Sequence, residues 1–547
     1  MPSTHCRLYC RTFQGKDAGA VRKFLIESLE LSTVKSRPAW VTKRQGDRTA
    51  TVRFTDEVTL ESLEKLTSGN LTHDDEIVKC DIISAPDDES RKKQRTDQDM
   101  PTQDQIVTHV LPLLNEPYED QLEAKRKDVV SALADALKLV QTSAKSRSFT
   151  PLPTWDDLKI EETMSGLSDG YRNKCEFTIG PDSNGVPEIG FILRRATANS
   201  EPVVVPGENL IHVSSQLRDI VVSFRPVLRQ LVAQNLPLFS HISKQGCWRM
   251  MMVRACPITN ESQVIVQCGP IADPILKSSL ESSLITWAQS THITSLFVQY
   301  NSGFTDSIAV SSTNEMRLIH GPESIHMAIE TASGNHLVKY RVNPLSFFQT
   351  NSKGCQKLYG KVAEFIGANS SAKKSRVIFD VCCGVGSIGI FLAASLGQSV
   401  ERIVGVDIVP EAIENARENA KLNNLDNCEY IAGRAESVMD SVVVKELAAT
   451  GNDNTEFICV VDPPRVGLHK SVIKAIRDCE AIKTVVYVSC NPKSLSADLG
   501  KFCEPLTSSP DEEGIAVNHR FIPQSALAVD MFPHTPHCEV VVKLVRP

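Results

Sequence analysis

From residue 345 onward, strand-like runs alternate with helical stretches: RVIFDVCC, ERIVGVDI, CEYIAG, FICVVDPP and TVVYVSC each precede a segment of helical character. Few folds accept this alternation. A strand followed by a crossover helix returns in parallel, so the pattern requires a parallel sheet covered on both faces, an α/β architecture of Rossmann-like type. The end of the chain, NHRFIPQSALAVDMFPHTPHCEVVVKLVR, holds two more strand candidates with no helix between them. They are expected to form an antiparallel hairpin at the sheet edge.

The rest of the chain reads differently, and 547 residues are too many for one domain. Residues 1–85 have the order βαββαβ, which matches a ferredoxin-like α+β unit. Residues 86–105, PDDESRKKQRTDQDMPTQDQ, have almost no large apolar side chains and read as a flexible linker. Their basic run Arg91–Arg95 has the composition of a nuclear-import patch as well as of a solvated linker. Residues 106–340 open on a long amphipathic helix. YRNKCEFTIG, EIGFILRR, WRMMMVRAC and SQVIVQCG then suggest an antiparallel sheet with few helices. Residues 341–547 are the α/β domain.

Composition excludes several classes. With 41% hydrophobic and 23% charged residues and no long apolar run, the chain reads as soluble, and no membrane partner is expected. The N-terminus lacks an apolar signal core, so a cytoplasmic or nuclear location is expected. None of the 16 cysteines stands in a C-x-x-C pair. The net charge of −7 gives no global sign of nucleic-acid binding, which needs only a local basic face.

The segment VIFDVCCGVGSIGIFLA is a strand, a glycine-rich turn and a helix. Gly384 and Gly386 let the backbone turn sharply and approach a ligand. Asp407 closes the next strand, where an acid takes a ribose hydroxyl pair. Asp380 stands where a pyrophosphate-binding turn would have Gly or an apolar residue, because a carboxylate repels phosphate. D-x-x-x-G-x-G instead suits S-adenosyl-L-methionine, which has no phosphate and carries a positive sulfonium. The plain alternative is an α/β turn whose glycines serve packing alone.

The catalytic candidates cluster further on. VVDPPRVGLH places Asp462 and Arg465 at a strand end, outside which switch-point ligands bind. An aromatic residue after Pro-Pro would indicate methylation of an exocyclic amine, and a Cys there RNA cytosine-5 methylation; Arg465 is neither. Cys490 ends the next strand. Asn491 and Pro492 are suited to cap and start a helix, whose N-terminal partial charge is expected to draw the thiol toward thiolate. Glu539 opens the last strand, after His534 and His537. The spacing of His534, His537 and Cys538 fits no common zinc pattern, so no metal is expected.

DVCCGVGSIG, DPPRVGLH, YVSCNP, FPHTPHCE, NPLSFFQTN and GYRNKCEF together resemble the RNA uracil-5 methyltransferases. The ferredoxin-like front and the absence of a four-cysteine iron–sulfur cluster resemble the eukaryotic homolog-A branch, in which that front is an RNA-recognition motif (RRM). The resemblance implies a class I methyltransferase domain, S-adenosyl-L-methionine as cofactor and tRNA as partner, with a T-loop uridine as target. It implies Cys490 as nucleophile and Glu539 as general base. It places Gln349, Asp407 and Asp462, with Gly384 and Gly386, at the cofactor, and Phe177 in the uracil pocket. Arg465 is expected to stabilise anionic charge on the substrate. Cys382 and Ser387 depart from the aromatic residue and Asn of some members. Methylation of another RNA is a second reading; an RNA chaperone with little catalysis is a third.

In the front unit, LYCRTF offers Tyr9 for base stacking, but DRTATVRF has Thr49 and Thr51 at the other stacking positions. Lys43, Arg44, Arg48 and Arg53 then read either as an auxiliary tRNA contact or as a solvated basic face on a scaffolding domain.

Overall fold

The computed structural model describes residues 103–146, 153–196, 200–303, 314–331, 336–367, 375–438, 455–504 and 521–547 with a few positions between them, and in the first hundred residues chiefly strand segments. The chain divides into two compact units, Met1–Met100 and Pro101–Pro547.

In the first unit, β1 (His5–Tyr9), β2 (Pro38–Thr42), β3 (Thr49–Phe54) and β6 (Lys79–Ile83) pair antiparallel in the order β2-β3-β1-β6, beside a short pair, β4 (Thr72–His73) and β5 (Glu76–Ile77). Val21, Phe24 and Leu25 are helical. Lys43, Arg44, Arg48 and the basic run Arg91–Arg95 lie outside the described residues, as do the side chains of Tyr9, Thr49, Thr51 and Arg53.

The second unit holds two large sheets. Helix α1 (Gln103–Val110) begins inside the stretch expected as linker. The central sheet orders β11 (Val203–Pro206), β10 (Pro187–Arg194), β9 (Lys174–Pro181), β12 (Trp248–Cys256), β13 (Glu261–Cys268), β14 (Ser295–Asn301) and β15 (Asn314–His320). It departs from the expected all-antiparallel sheet, because β13 and β14 run parallel, joined by α4 (Pro274–Ser290). With α3 (Ser215–Ala233), that crossover makes the region richer in helix than its strand pattern suggests.

The C-terminal sheet has the order β20 (Cys428–Ala432), β19 (Val400–Asp407), β18 (Ser375–Val381), β21 (Thr455–Val461), β22 (Ile482–Ser489), β24 (Glu539–Val545), β23 (Ile522–Asp530) and β7 (Lys159–Ile160), with β8 (Met164–Ser165) also on β23. Strands β18 to β22 are parallel, and β23–β24 is the antiparallel hairpin. Successive residues feed opposite faces. Ile378, Val460 and Val486 pack under α5 (Ser352–Gly367), α6 (Ser387–Leu396) and α7 (Pro410–Leu422); Phe379, Val461 and Tyr487 pack under α8 (Lys470–Asp478) and α9 (Pro492–Cys503). Chain order reverses between β18 and β21, which opens a crevice at their carboxyl ends.

The boundary expected near residue 340 is not where the packing divides. Helix α2 (Tyr118–Ser146) lays Val129, Leu133, Ala136 and Val140, one helical stripe, against the C-terminal sheet rather than the central one. Ser496 Oγ donates to Ala132 O at 2.9 Å, fixing α2 beside α9. The hairpin of β16 (Ile325–Glu330) and β17 (Leu337–Val342) joins the other face. The central sheet is therefore an insertion between α2–β8 and β18–β24.

Candidate active site

The crevice is a cleft of about 1720 Å³ whose walls include Gln349, Gly384, Asp407, Asp462, Arg465, Cys490 and Glu539. Residues far apart in sequence meet here because they lie at or just past the carboxyl edge of the parallel strands, Glu539 at the start of the antiparallel β24.

The glycine turn is built by hydrogen bonds to acids. Asp407, the last residue of β19, accepts from Gly384 N at 2.9 Å through one oxygen and from Val409 N at 2.9 Å through the other. Gly384 has φ +54, and a Cβ there would meet open space, so its backbone borders room for a ligand. Gly386 does not line the cleft. At φ +77 it starts α6, and a Cβ would lie 2.8 Å from the buried Tyr430 hydroxyl, so this glycine serves packing. Behind the turn, Asp380 accepts from Gly389 N at 2.9 Å, and its other oxygen has no partner among the described residues. Burial pushes Asp380 up to about 7.

Cys490 and Glu539 are set by the β22–β24 ladder. Its last registered pair is Ser489 with Val540, so the next residues along, Cys490 and Glu539, stand opposite each other. Asn491 caps α9 as expected: its side-chain oxygen accepts from Lys493 N at 3.2 Å, and Pro492 opens the helix. The expected depression of the thiol is not found. Burial and the carboxylates of Glu539 and Asp462 raise Cys490 above the ordinary thiol value, outweighing Arg465, which lowers it. A helix end of partial charge does not overcome two nearby acids in a half-buried setting. Glu539 is almost fully buried, one carboxylate oxygen has no partner among the described residues, and burial with Asp462 drives it well above the usual carboxylate range. Burial likewise raises Asp462 to about 7.

Phe177 is not at this site. On β9 it alternates inward with Cys175 and Ile179, is fully buried, and lies 5.5 Å ring to ring from Phe191. From the same motif it is Arg172 that reaches the cleft, while Asn173 ties the central sheet to the next motif by donating to Gln349 O at 3.0 Å and Ser352 Oγ at 2.8 Å. Of the described phenylalanines lining the cleft, Phe347 is the most exposed, at 72%, whereas its neighbour Phe348 is buried. Adjacent phenylalanines carry no sequence signal for which one faces out. Phe532, Thr535 and His537 also line the cleft.

Asp407, Asp462 and Glu539 line the cavity together with the cations Arg172 and Arg465, so it carries both signs of charge. Among the described residues no cluster of His, Cys, Asp and Glu could hold a metal ion, and no helix is long and apolar enough to cross a membrane.

Residues 307–547 match the family model described as tRNA (Uracil-5-)-methyltransferase. The chain is 30% identical over 478 residues to tRNA (uracil-5-)-methyltransferase homolog A of Mus musculus, covering 84% of this chain and 71% of that protein. The chain belongs to the tRNA (uracil-5-)-methyltransferase family. It is equally close to homolog B of Danio rerio, 30% identical over 453 residues, covering 81% of this chain and 87% of that protein. A uracil-5 methyltransferase of Pyrococcus abyssi, solved with S-adenosyl-L-homocysteine, shares the fold at a TM-score of 0.53, with 24% identity and coverage of 79% and 85%. As a member of this family the protein is a methyltransferase.

Proposed function

We propose that this methyltransferase transfers a methyl group from S-adenosyl-L-methionine to C5 of a T-loop uridine in tRNA, and that it is of the homolog-A type with residues 1–85 forming an RRM. The observation that carries the catalytic reading is a cysteine and a buried carboxylate facing each other across one ladder end, inside one cleft. The strand order β2-β3-β1-β6 supports the RRM reading.

Uracil C5 is a weak nucleophile. Cys490 corrects this when its sulfur, after losing its proton, bonds to C6; the electron pair of the C5–C6 double bond moves onto C5 and O4 as an enolate. Arg465, on the cleft wall, offsets that charge. Bound S-adenosyl-L-methionine supplies an electrophilic methyl group on a positive sulfonium. Gln349, Gly384, Asp407 and Asp462 would hold it, and their acids complement its charge. Once C5 carries the methyl group it still bears a hydrogen. Glu539 takes that proton, the pair left behind re-forms the double bond, and the S–C6 bond breaks to release Cys490. The base must leave its stack to reach the cleft, and Phe347 offers it a stacking face, worth ~1–3 kcal/mol per base.

The decisive experiment uses RNA carrying 5-fluorouridine, whose C5 fluorine blocks elimination and traps the adduct. The native enzyme should form a stable covalent complex in the presence of S-adenosyl-L-methionine. Cys490→Ala should form none and should not methylate tRNA. Methylation by that variant would overturn the assignment.

A further inference from the structure

We propose that Val466 is a wedge: its side chain enters the base stack of a folded RNA at the place the target uridine vacates. This rests on the proposed function, because only an extruded target leaves such a gap.

The case begins with exposure. Val466 is 88% exposed, although it directly follows Arg465 on the wall of the catalytic cleft. A β-branched apolar side chain left this bare beside a nucleophile contributes nothing to the folded state, because the hydrophobic effect acts only on surface removed from water. Lone exposed apolar residues are common, so exposure alone decides nothing. The turn that displays this one does.

Residues 464–467 form a tight turn, closed by Gly467 N donating to Pro464 O at 2.8 Å. Both flanks are pinned. On the first side, Pro463 and Pro464 fix the backbone, and Asn491, next to the nucleophile, donates from Nδ2 to Arg465 O at 2.8 Å. On the second side, Gly467 holds φ +84 with its Cα against the Asp498 carboxylate, where an added Cβ would lie 2.6 Å from Oδ2. That same oxygen accepts from Leu468 N at 2.7 Å and from Tyr487 Oη at 2.9 Å. Asp498 and Tyr487 are buried in the C-terminal core. Val466 is thus a bare apolar tip on a rigid mount, held in fixed relation to Cys490 by Asn491.

Such a tip has a physical use in this reaction. Turning a base out of a stack costs unstacking energy, and proteins offset it by inserting apolar side chains between bases. A rigid mount matters because a wedge that yields cannot hold the gap open. Arg465 of the same turn lines the cleft and Val466 next to it is bare, so one backbone element carries a cation for the cleft and an exposed apolar tip beside it.

The test compares two RNAs that carry the same target uridine: intact transcribed tRNA, and a short unstructured oligonucleotide of the loop sequence. Single-turnover methylation is measured for the native chain, Val466→Ala and Val466→Leu. Ala keeps the turn backbone but removes the apolar tip; Leu restores apolar bulk. Val466→Ala should slow methylation of tRNA by roughly tenfold, the effect of losing a modest part of the unstacking compensation. It should leave the oligonucleotide rate within about twofold, and Val466→Leu should stay near native on both. Equal rates of native enzyme and Val466→Ala on tRNA would overturn the wedge, as would an equal loss on both RNAs. Failure of the native enzyme to methylate uridine in either RNA would instead overturn the function on which the wedge rests.

Discussion

Cys490 and Glu539 face one another across the open end of the β22–β24 ladder, one residue past the last registered pair, Ser489 and Val540. If Cys490 is the nucleophile and Glu539 the base, as proposed, they act at neighbouring carbons of one ring, and removing only one of them should separate the steps.

Glu539→Gln should therefore accumulate the covalent RNA adduct with ordinary uridine. Addition and methyl transfer proceed, while proton removal and thiol release stall. Denaturing gel electrophoresis of enzyme with labelled tRNA measures this; normal turnover with no adduct would count against the base role.

The rate of methyl transfer should rise with pH across neutrality. Burial, with Glu539 and Asp462, raises Cys490, and burial with Asp462 raises Glu539; the thiol must lose its proton before methyl transfer and Glu539 only for the later elimination, so the thiol sets the rise of this step. Arg465 opposes the shift in both groups. Replacing it in Arg465→Gln should move the rising limb of the single-turnover pH profile to higher pH. A limb that stays in place would show that Arg465 does not act on their charge.

Phe347 and Phe177 should behave oppositely. Phe347→Ala is expected to weaken tRNA binding by ~1–3 kcal/mol while leaving the unfolding midpoint almost unchanged, because the ring is exposed. Phe177→Ala should cost ~3–5 kcal/mol of stability through the cavity left in the central core. Binding titrations and urea denaturation on the two variants separate these outcomes.

Asp380 should make the unliganded protein less stable as pH rises. Its folded value of about 7 lies above the ordinary aspartate value, so the unfolded chain loses its proton first as pH increases. Stability should fall between about pH 4 and pH 7 and level off above that, by up to roughly 4 kcal/mol. Asp380→Asn should show a shallower fall, because Asp462 and Glu539 are raised in the same direction and still contribute; denaturation midpoints of the two proteins across that range provide the comparison.

Lys125 and Asp530 form a fully buried ion pair at 2.6 Å, joined by Tyr118 Oη donating to Asp530 at 2.9 Å. Lys125→Met leaves an uncompensated buried carboxylate and should cost ~3–5 kcal/mol. The segment between Asp530 and Glu539 is held by the same helix, with His534 N donating to Gln121 Oε1 at 3.0 Å, so methyl transfer should fall as well. Unfolding curves and single-turnover rates measured on the same preparation would show both losses.

What was readable in the sequence is what local chemistry decides. The alternation after residue 345 forces a parallel sheet, Gly384 is required by its turn, and Asn491-Pro492 caps a helix whatever surrounds it. Three features depended on distant chain instead. Whether Phe177 or Phe347 meets the cleft is a matter of which neighbours cover each. The thiol of Cys490 is raised by its burial and then by Glu539 and Asp462, remote in sequence. The amphipathic stripe of α2 is visible in the sequence, but nothing in it says which of two sheets it covers.

That last placement bears on how the protein comes into being. Strands β7 and β8 join, and helix α2 covers, a sheet whose remaining strands lie beyond the whole central region. During synthesis from the N-terminus, the apolar stripe of α2 must wait, uncovered, until β22, β24 and α9 have emerged. A fragment beginning at residue 341 would expose the matching apolar surface from the other side. The catalytic half is thus a circuit that closes only when both ends of the second unit are present, and shielding that early helix is a task for the nascent chain's surroundings.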